Sequence, residues 1–196
     1  MLNAALIYGH EHIVRLLISR GADPYLGIKT FRCAMAAAMA GFQEDCVKFL
    51  LEQPDILDRC EKIQYWPLVD ASWGGRRSIA KLLLRHGADV NATCKRTALY
   101  GAAARGNVTL LKLLLEKGAN VNVRCGLAGN AEQAVAANRQ TNAVGLLLEH
   151  GANVEISDVE WEILLHDNDS SWVLERVGLG ETNLLTNMLK SMGRRP

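Results

Sequence analysis

A phrase of three aliphatic residues, two polar residues and Gly-Ala-Asp or Gly-Ala-Asn returns along this chain at an almost fixed interval. It reads LLISRGAD at 16–23, LLLRHGAD at 82–89, LLLEKGAN at 113–120 and LLLEHGAN at 146–153. Its glycines are Gly21, Gly87, Gly118 and Gly151, and FLLEQPD (49–55) places Pro54 where another would fall. The marks 21, 54, 87, 118 and 151 are separated by 33, 33, 31 and 33 residues. A fixed period between roughly 20 and 50 residues implies stacked copies of one supersecondary unit, none of which can bury its apolar face alone. A chain of 196 residues holds just under six such units.

One unit, Thr97 to Gly118, shows the internal logic. TALYGAAARG reads as a short helix in which Leu99, Ala102 and Ala103 recur at helical spacing. Gly106 breaks it and Asn107 opens the next segment. VTLLKLLLEK then sets Val108, Leu111, Leu114 and Leu115 on one face of a second amphipathic helix. Lys117 suits the negative end of the helix dipole, and Gly118 supplies the left-handed residue that stops the helix. ANVNVRCGLAG (119–129), rich in Asn and Gly, reads as a loop or open hairpin. The unit is therefore helix, turn, helix, hairpin-like loop, and its alanines let neighbouring first helices approach closely.

Composition narrows the function. Hydrophobic residues make up 49% of the chain, enough for a core, and the net charge is +1. That charge argues against a dedicated nucleic-acid binder. The Arg pairs at 76–77 and 194–195 are too few for a phosphate track, because affinity for nucleic acid scales with the phosphates neutralised. Cys33, Cys46, Cys60, Cys94 and Cys125 include no CxxC pair, so neither a disulfide framework nor a structural zinc site is expected. Free, buried thiols in a reducing, intracellular compartment (cytoplasm or nucleus) are expected instead. The start MLNAALIYGHEHIVRLL lacks the features of a signal peptide, and runs such as AMAAAMA (34–40) are too short to span a bilayer. No membrane, metal or cofactor is expected.

The pattern resembles the ankyrin repeat. The family's T-P-L-H-x-A-A segment is matched in degenerate form by Thr97-Ala98-Leu99-Tyr100-Gly101-Ala102-Ala103 and by Trp66-Pro67-Leu68-Val69-Asp70-Ala71-Ser72. Its Gly-His turn appears as Gly9-His10, and less closely as Gly75-Arg76 and Gly106-Asn107. Its G-A-D-V-N ending appears at 87–91, with near-copies at 118–122 and 151–154. The resemblance implies an all-α solenoid: about five ankyrin-like repeats over 1–155, the first opening inside its first helix, then a degenerate capping repeat and final helix over 156–196. It also implies a concave surface of hairpin tips and first helices that binds other proteins, here as a non-catalytic, monomeric interaction module whose partner the sequence does not name.

Departures from the pattern carry expectations of their own. GFQEDCVK reads as holding one extra residue after Gly41. Pro54 cannot take the positive φ open to Gly21, so the loop 55–65 should differ in shape from its counterparts. In the fifth unit Arg139 replaces the turn glycine and 130–138 is a more polar first helix. Among the histidines, His10 is expected to support the turn by hydrogen bonding. His86 and His150 should serve the carbonyl ends of helices.

Candidate surface residues follow from the unit. The tips offer Tyr25, Lys29, Asp58, Arg59, Glu61, Lys62, Lys95, Arg96, Arg124, Glu155 and Asp158; the first helices offer Arg32, Met35, Trp66, Asp70, Trp73, Tyr100 and Arg105. The expected partner site comprises Tyr65, Trp66, Asp70, Lys95, Arg96, Tyr100 and Arg124. Trp66, Asp70 and Trp73 fall at i, i+4 and i+7, one helical face, and aromatic residues are enriched at binding hot spots. Trp66 is read as a binding residue and Trp73 as packing. The alternative is a small-molecule site or unusual enzyme in the same groove, with Asp70 and Tyr100 as its chemical groups. The chain has no HExxH, GxSxG, P-loop or dinucleotide fingerprint.

Overall fold

The computed structural model describes residues 1–27, 30–92, 96–124, 131 and 141–152. The first helix expected at 130–138 (Ala131 excepted), the hairpin end at 153–155, the capping segment 156–196, Lys29 and Lys95 lie outside the described residues. Among the described residues there are helices and turns but no strand. The chain divides into two compact units, Met1–Cys94 and Lys95–Pro196.

The first unit contains α1 (Leu2–Ile7), α2 (Glu11–Ser19), α3 (Ala34–Ala40), α4 (Glu44–Leu51), α5 (Ile56–Lys62), α6 (Pro67–Trp73) and α7 (Arg77–Arg85). Pairs α1–α2, α3–α4 and α6–α7 are helical hairpins; first helices pack α1 on α3 on α6, and second helices α2 on α4 on α7. In the second unit α8 (Ala98–Ala104) pairs with α9 (Val108–Glu116), which packs on α10 (Thr141–Glu149).

The period explains the packing position by position. Ala5, Ala38, Ala71 and Ala102 occupy one slot of the first helices, and all are buried. Alanine orders no side chain there and keeps the backbones close. Leu50, Leu83, Leu114 and Leu147 occupy one slot of the second helices, each 0% exposed. Leu17, in the first member of that row, is half-buried. Burying each such leucine contributes about 1.5–3 kcal/mol. Met35 shares its slot with Leu68 and Leu99 and is fully buried, so it belongs to the core and not to the surface on which it was expected.

One slot departs from this economy. Leu6, Met39 and Ala103 fill it in three units, while Ser72 fills it in the fourth. The Ser72 hydroxyl is buried with no hydrogen-bond partner. Ser72→Ala is therefore expected to raise unfolding free energy by about 1 kcal/mol, read from urea denaturation curves.

Paired helices are joined by a three-residue turn whose middle residue is left-handed. Gly9 (φ 73°), Phe42 (60°), Gly75 (68°) and Gly106 (62°) hold this position at steps of 33, 33 and 31 residues. The expected extra residue after Gly41 is thus not there: Phe42 takes a glycine's place. Its ring lies beneath the Arg76 guanidinium, 3.9 Å from the centroid, a contact that offsets part of the backbone strain.

The hairpin loops repeat as well. Gly21, Gly87, Gly118 and Gly151 end their helices at φ between 81° and 88°. Pro54 cannot follow them, and the left-handed role passes to Asp55 (φ 53°). The segment that follows is helical, α5, rather than a loop, because Ile56 and Cys60 at i and i+4 give it a buried face. Elsewhere Asx turns set the tips: Asp23 accepts the Tyr25 N–H (2.7 Å), Asp89 that of Asn91 (2.9 Å) and Asn120 that of Asn122 (3.0 Å). His86 and His150 meet the carbonyls of Leu82 and Leu146 through Nδ1 at 3.0 and 2.9 Å, as expected at helix ends. His10 differs from expectation: it is the N-cap residue of α2, but its side chain makes no cap hydrogen bond. Asn107, its counterpart, accepts the Leu110 N–H at 3.1 Å.

Candidate functional site

In the first unit the candidate residues gather around α5. Tyr25 Oη donates to the Pro54 carbonyl at 2.7 Å, and the Arg59 guanidinium covers the Tyr25 ring at 4.2 Å. Arg32 Nη1 donates to the carbonyls of Ile63 (3.3 Å) and Gln64 (3.1 Å), satisfying the end of α5. Tyr25, Arg32 and Arg59, expected as candidate surface residues, are thus engaged in tying one hairpin to the next.

Trp66 does not begin the helical face expected of it. It is the N-cap of α6, with extended backbone (φ −116°, ψ 94°), and Pro67 takes the first helical position. Spacing of i to i+4 counted from a residue outside the helix does not bring side chains together. Trp66 instead lines a small open depression with Leu57 and Glu61 of α5, Pro67 and Leu68 of α6, and Ala88, Asp89 and Ala92 of the following hairpin. Its volume is about 10 Å³, room for about one water molecule. Small-molecule pockets are usually roughly 300–1,000 Å³. Leu57 and Ala92 were not singled out by sequence; the signal for Leu57 is its place beside Ile56 on an amphipathic α5.

Asp70 is exposed on α6, and Tyr65 Oη donates to its Oδ2 at 2.9 Å. Burial is the main influence on the Tyr65 phenol, followed by the Asp70 carboxylate and by Cys33 and Cys60; together they hold it well above the usual phenol range. A phenol that keeps its proton in the folded chain and releases it in the unfolded chain stabilises the fold fully below pH about 10. That contribution is lost as pH rises further. Between pH 10 and 11 the wild type is expected to lose on the order of 1 kcal/mol more stability than Tyr65→Phe, measured by denaturation at each pH.

In the second unit Arg96 and Arg124 are exposed and Tyr100 is half-buried. The Tyr100 N–H is taken by Thr97 Oγ1 at 3.0 Å, which caps α8. Arg105 is exposed and Trp73, in the first unit, is half-buried. Among the described residues no group of three or more His, Cys, Asp or Glu side chains could hold a metal ion. No helix among them is long and apolar enough to cross a membrane.

A family model of ankyrin repeats in three copies matches residues 1–94 and again 71–158. The chain belongs to the ankyrin repeat family. Its ankyrin units are 37% identical over 91 residues to alpha-latrocrustotoxin-Lt1a of Latrodectus tredecimguttatus, across 45% of this chain and 6% of the toxin. They are 37% identical over 83 residues to delta-latroinsectotoxin-Lt1a of the same species, across 41% of this chain and 7% of that toxin. The matched ankyrin segment is thus a small part of either toxin's length. Among solved structures, an ankyrin repeat domain from Acinetobacter baumannii AYE matches with a TM-score of 0.78 at 23% identity, covering 89% of this chain and 96% of that one. The human ASB11 ankyrin repeat domain matches with a TM-score of 0.70 at 20% identity, covering 91% and 83%. At such identities the likeness is one of fold. Ankyrin repeat domains generally mediate protein–protein interaction.

Proposed function

We propose that these ankyrin units are a non-catalytic interaction module that holds a protein partner along its hairpin tips and first helices. The proposed contacts are Tyr65, Trp66 and Asp70 in the first unit and Lys95, Arg96, Tyr100 and Arg124 in the second. The observation that supports this most is the repetition of one Asx turn at 23–25, 89–91 and 120–122. Each turn fixes the backbone of a tip while leaving Asp23, Asp89, Asn91, Asn120 and Asn122 exposed. Tips ordered before binding lose little entropy when a partner docks, and their side chains can vary without disturbing the leucine row. The small volume beside Trp66 leaves no room for an enclosed metabolite there. Lys95, Arg96 and Arg124 suit a partner with acidic and aromatic features at its centre.

The test is a quantitative pull-down with three proteins: wild type, a Trp66/Arg96/Arg124 triple alanine variant, and a Lys48/Lys81/Lys112 triple alanine variant altered on exposed faces of second helices. Recovery of the wild-type partners should fall at least roughly tenfold with the first variant and stay unchanged with the second, as loss of a hot spot of about 1.4 kcal/mol or more requires. Equal recovery by all three, with a metabolite co-purifying, would overturn the reading in favour of a small-molecule site.

A further inference from the structure

Cys33 and Cys60 lie 27 residues apart in sequence, yet their sulfurs are 3.6 Å apart. Both are buried, at 2% and 1% exposure. Cys33 is the N-cap of α3, the place Thr97 holds in α8. Thr97 uses its oxygen to accept a backbone N–H; the Cys33 sulfur in the same place lies against that of Cys60. Cys60 reaches that place because the segment after Pro54 is α5, whose buried face is Ile56 and Cys60. The pair therefore depends on the same local departure from the repeat that built the Trp66 depression.

We propose that Cys33 and Cys60 form a redox-active dithiol that a hydroperoxide converts into an intramolecular disulfide, locking α5 to the start of α3. The chemistry is balanced. The Cys33 thiolate attacks one peroxide oxygen; the O–O bond breaks, leaving Cys33 sulfenic acid, and the departing hydroxide takes up the proton that Cys33 released. The Cys60 sulfur then attacks the Cys33 sulfur; the S–O bond breaks, the S–S bond forms, and the oxygen leaves as water with the Cys60 proton. Two thiols and one hydrogen peroxide become one disulfide and two waters, the thiols supplying two electrons. The roles are set by the surroundings. A hydrogen bond from the Cys60 thiol holds Cys33 below the ordinary thiol range; burial opposes this, and the backbone N–H groups of Ala36 and Met35 assist it. Cys60 is pushed up, first by that bond and then by burial, and keeps its proton until it resolves the sulfenic acid. The sulfurs must close from 3.6 Å to about 2.05 Å. Cys46, also buried, has its thiol raised by burial and by the nearby Glu11 and Asp45 carboxylates. It serves as the internal reference. Because α5 carries Leu57 and Glu61, the disulfide would also fix one wall of the depression beside Trp66.

The experiment uses the reduced, full chain treated with hydrogen peroxide near neutral pH, quenched by alkylation, digested with trypsin and analysed by mass spectrometry. The expected product is the peptide 33–48 joined to the peptide 60–62, with fragmentation assigning the link to Cys33 rather than to Cys46 on the same peptide. It should form roughly tenfold faster in folded protein than in concentrated urea, and reverse with dithiothreitol. Cys60→Ser should leave a Cys33 sulfenic acid that dimedone traps, with the helical circular dichroism unchanged; Cys33→Ser should leave none. A folded wild type that gives no 33–60 link, forms it no faster than the unfolded chain, or links Cys46 equally well would overturn the proposal.

Discussion

Replacing Leu83 by alanine is expected to lower unfolding free energy by about 2–5 kcal/mol. Leu83 is 0% exposed in α7, which packs on both α4 and α6. Truncation removes apolar contacts and leaves a cavity that two-sided packing resists closing. The same change at Leu17, the half-buried member of the row in α2, should cost about half as much, because only the buried part of the side chain loses its contacts. Urea denaturation followed by helical circular dichroism reads both values. Equal costs at the two positions would mean that the leucine row does not hold the stack together.

Gly41→Ala is expected to cost about 2–3 kcal/mol, an overpacking penalty. Local preference points the other way: Gly41 has φ −79°, a helical value at which alanine is favoured over glycine. The cost comes from the neighbouring repeat. A β-carbon at Gly41 would strike the backbone carbonyl of Ile7 at the end of α1, and backbone cannot step aside as a side-chain tip can. Gly21 gives the opposite case, with φ +88° and nothing within 4 Å of where a β-carbon would stand. Alanine there should cost about 1–2 kcal/mol, from strain alone. If the thermal midpoint falls further for Gly21→Ala than for Gly41→Ala, close approach of first helices is not what demands glycine at the turn.

Much of the fold was legible because its determinants are local and repeated. Gly118 announces a helix end, Leu111 and Leu114 announce a face, and each recurs in register. What sequence reading missed came from residues whose role is set by a neighbouring unit. Phe42 looked like part of an insertion because phenylalanine rarely adopts φ near 60°; Arg76, from the next turn, covers its ring. Residues 55–65 looked like a loop because Pro54 and the charged residues dominate their composition. The pair Ile56 and Cys60 was the overlooked helical signal, and Cys33 of the preceding hairpin gives it a place to pack. The i, i+4, i+7 spacing places Trp66 on a helical face, but the proline after it marks the first helical residue. Tyr25, read as a tip residue, and Arg32, read as a first-helix surface residue, bind the Pro54 carbonyl and the α5 end. Sequence reads both kinds of residue as surface, and only the partner atoms separate a tie between hairpins from a contact waiting for a partner.

The most direct measurement is a hydrogen-exchange footprint of the module bound to the partner recovered by pull-down. The account predicts new protection at the tips 22–25, 88–92 and 119–124 and at the starts of the first helices near 65–70 and 96–100, with α2, α4, α7 and α9 unchanged. New protection confined to those second helices, with the tips exchanging as in the free chain, would contradict it.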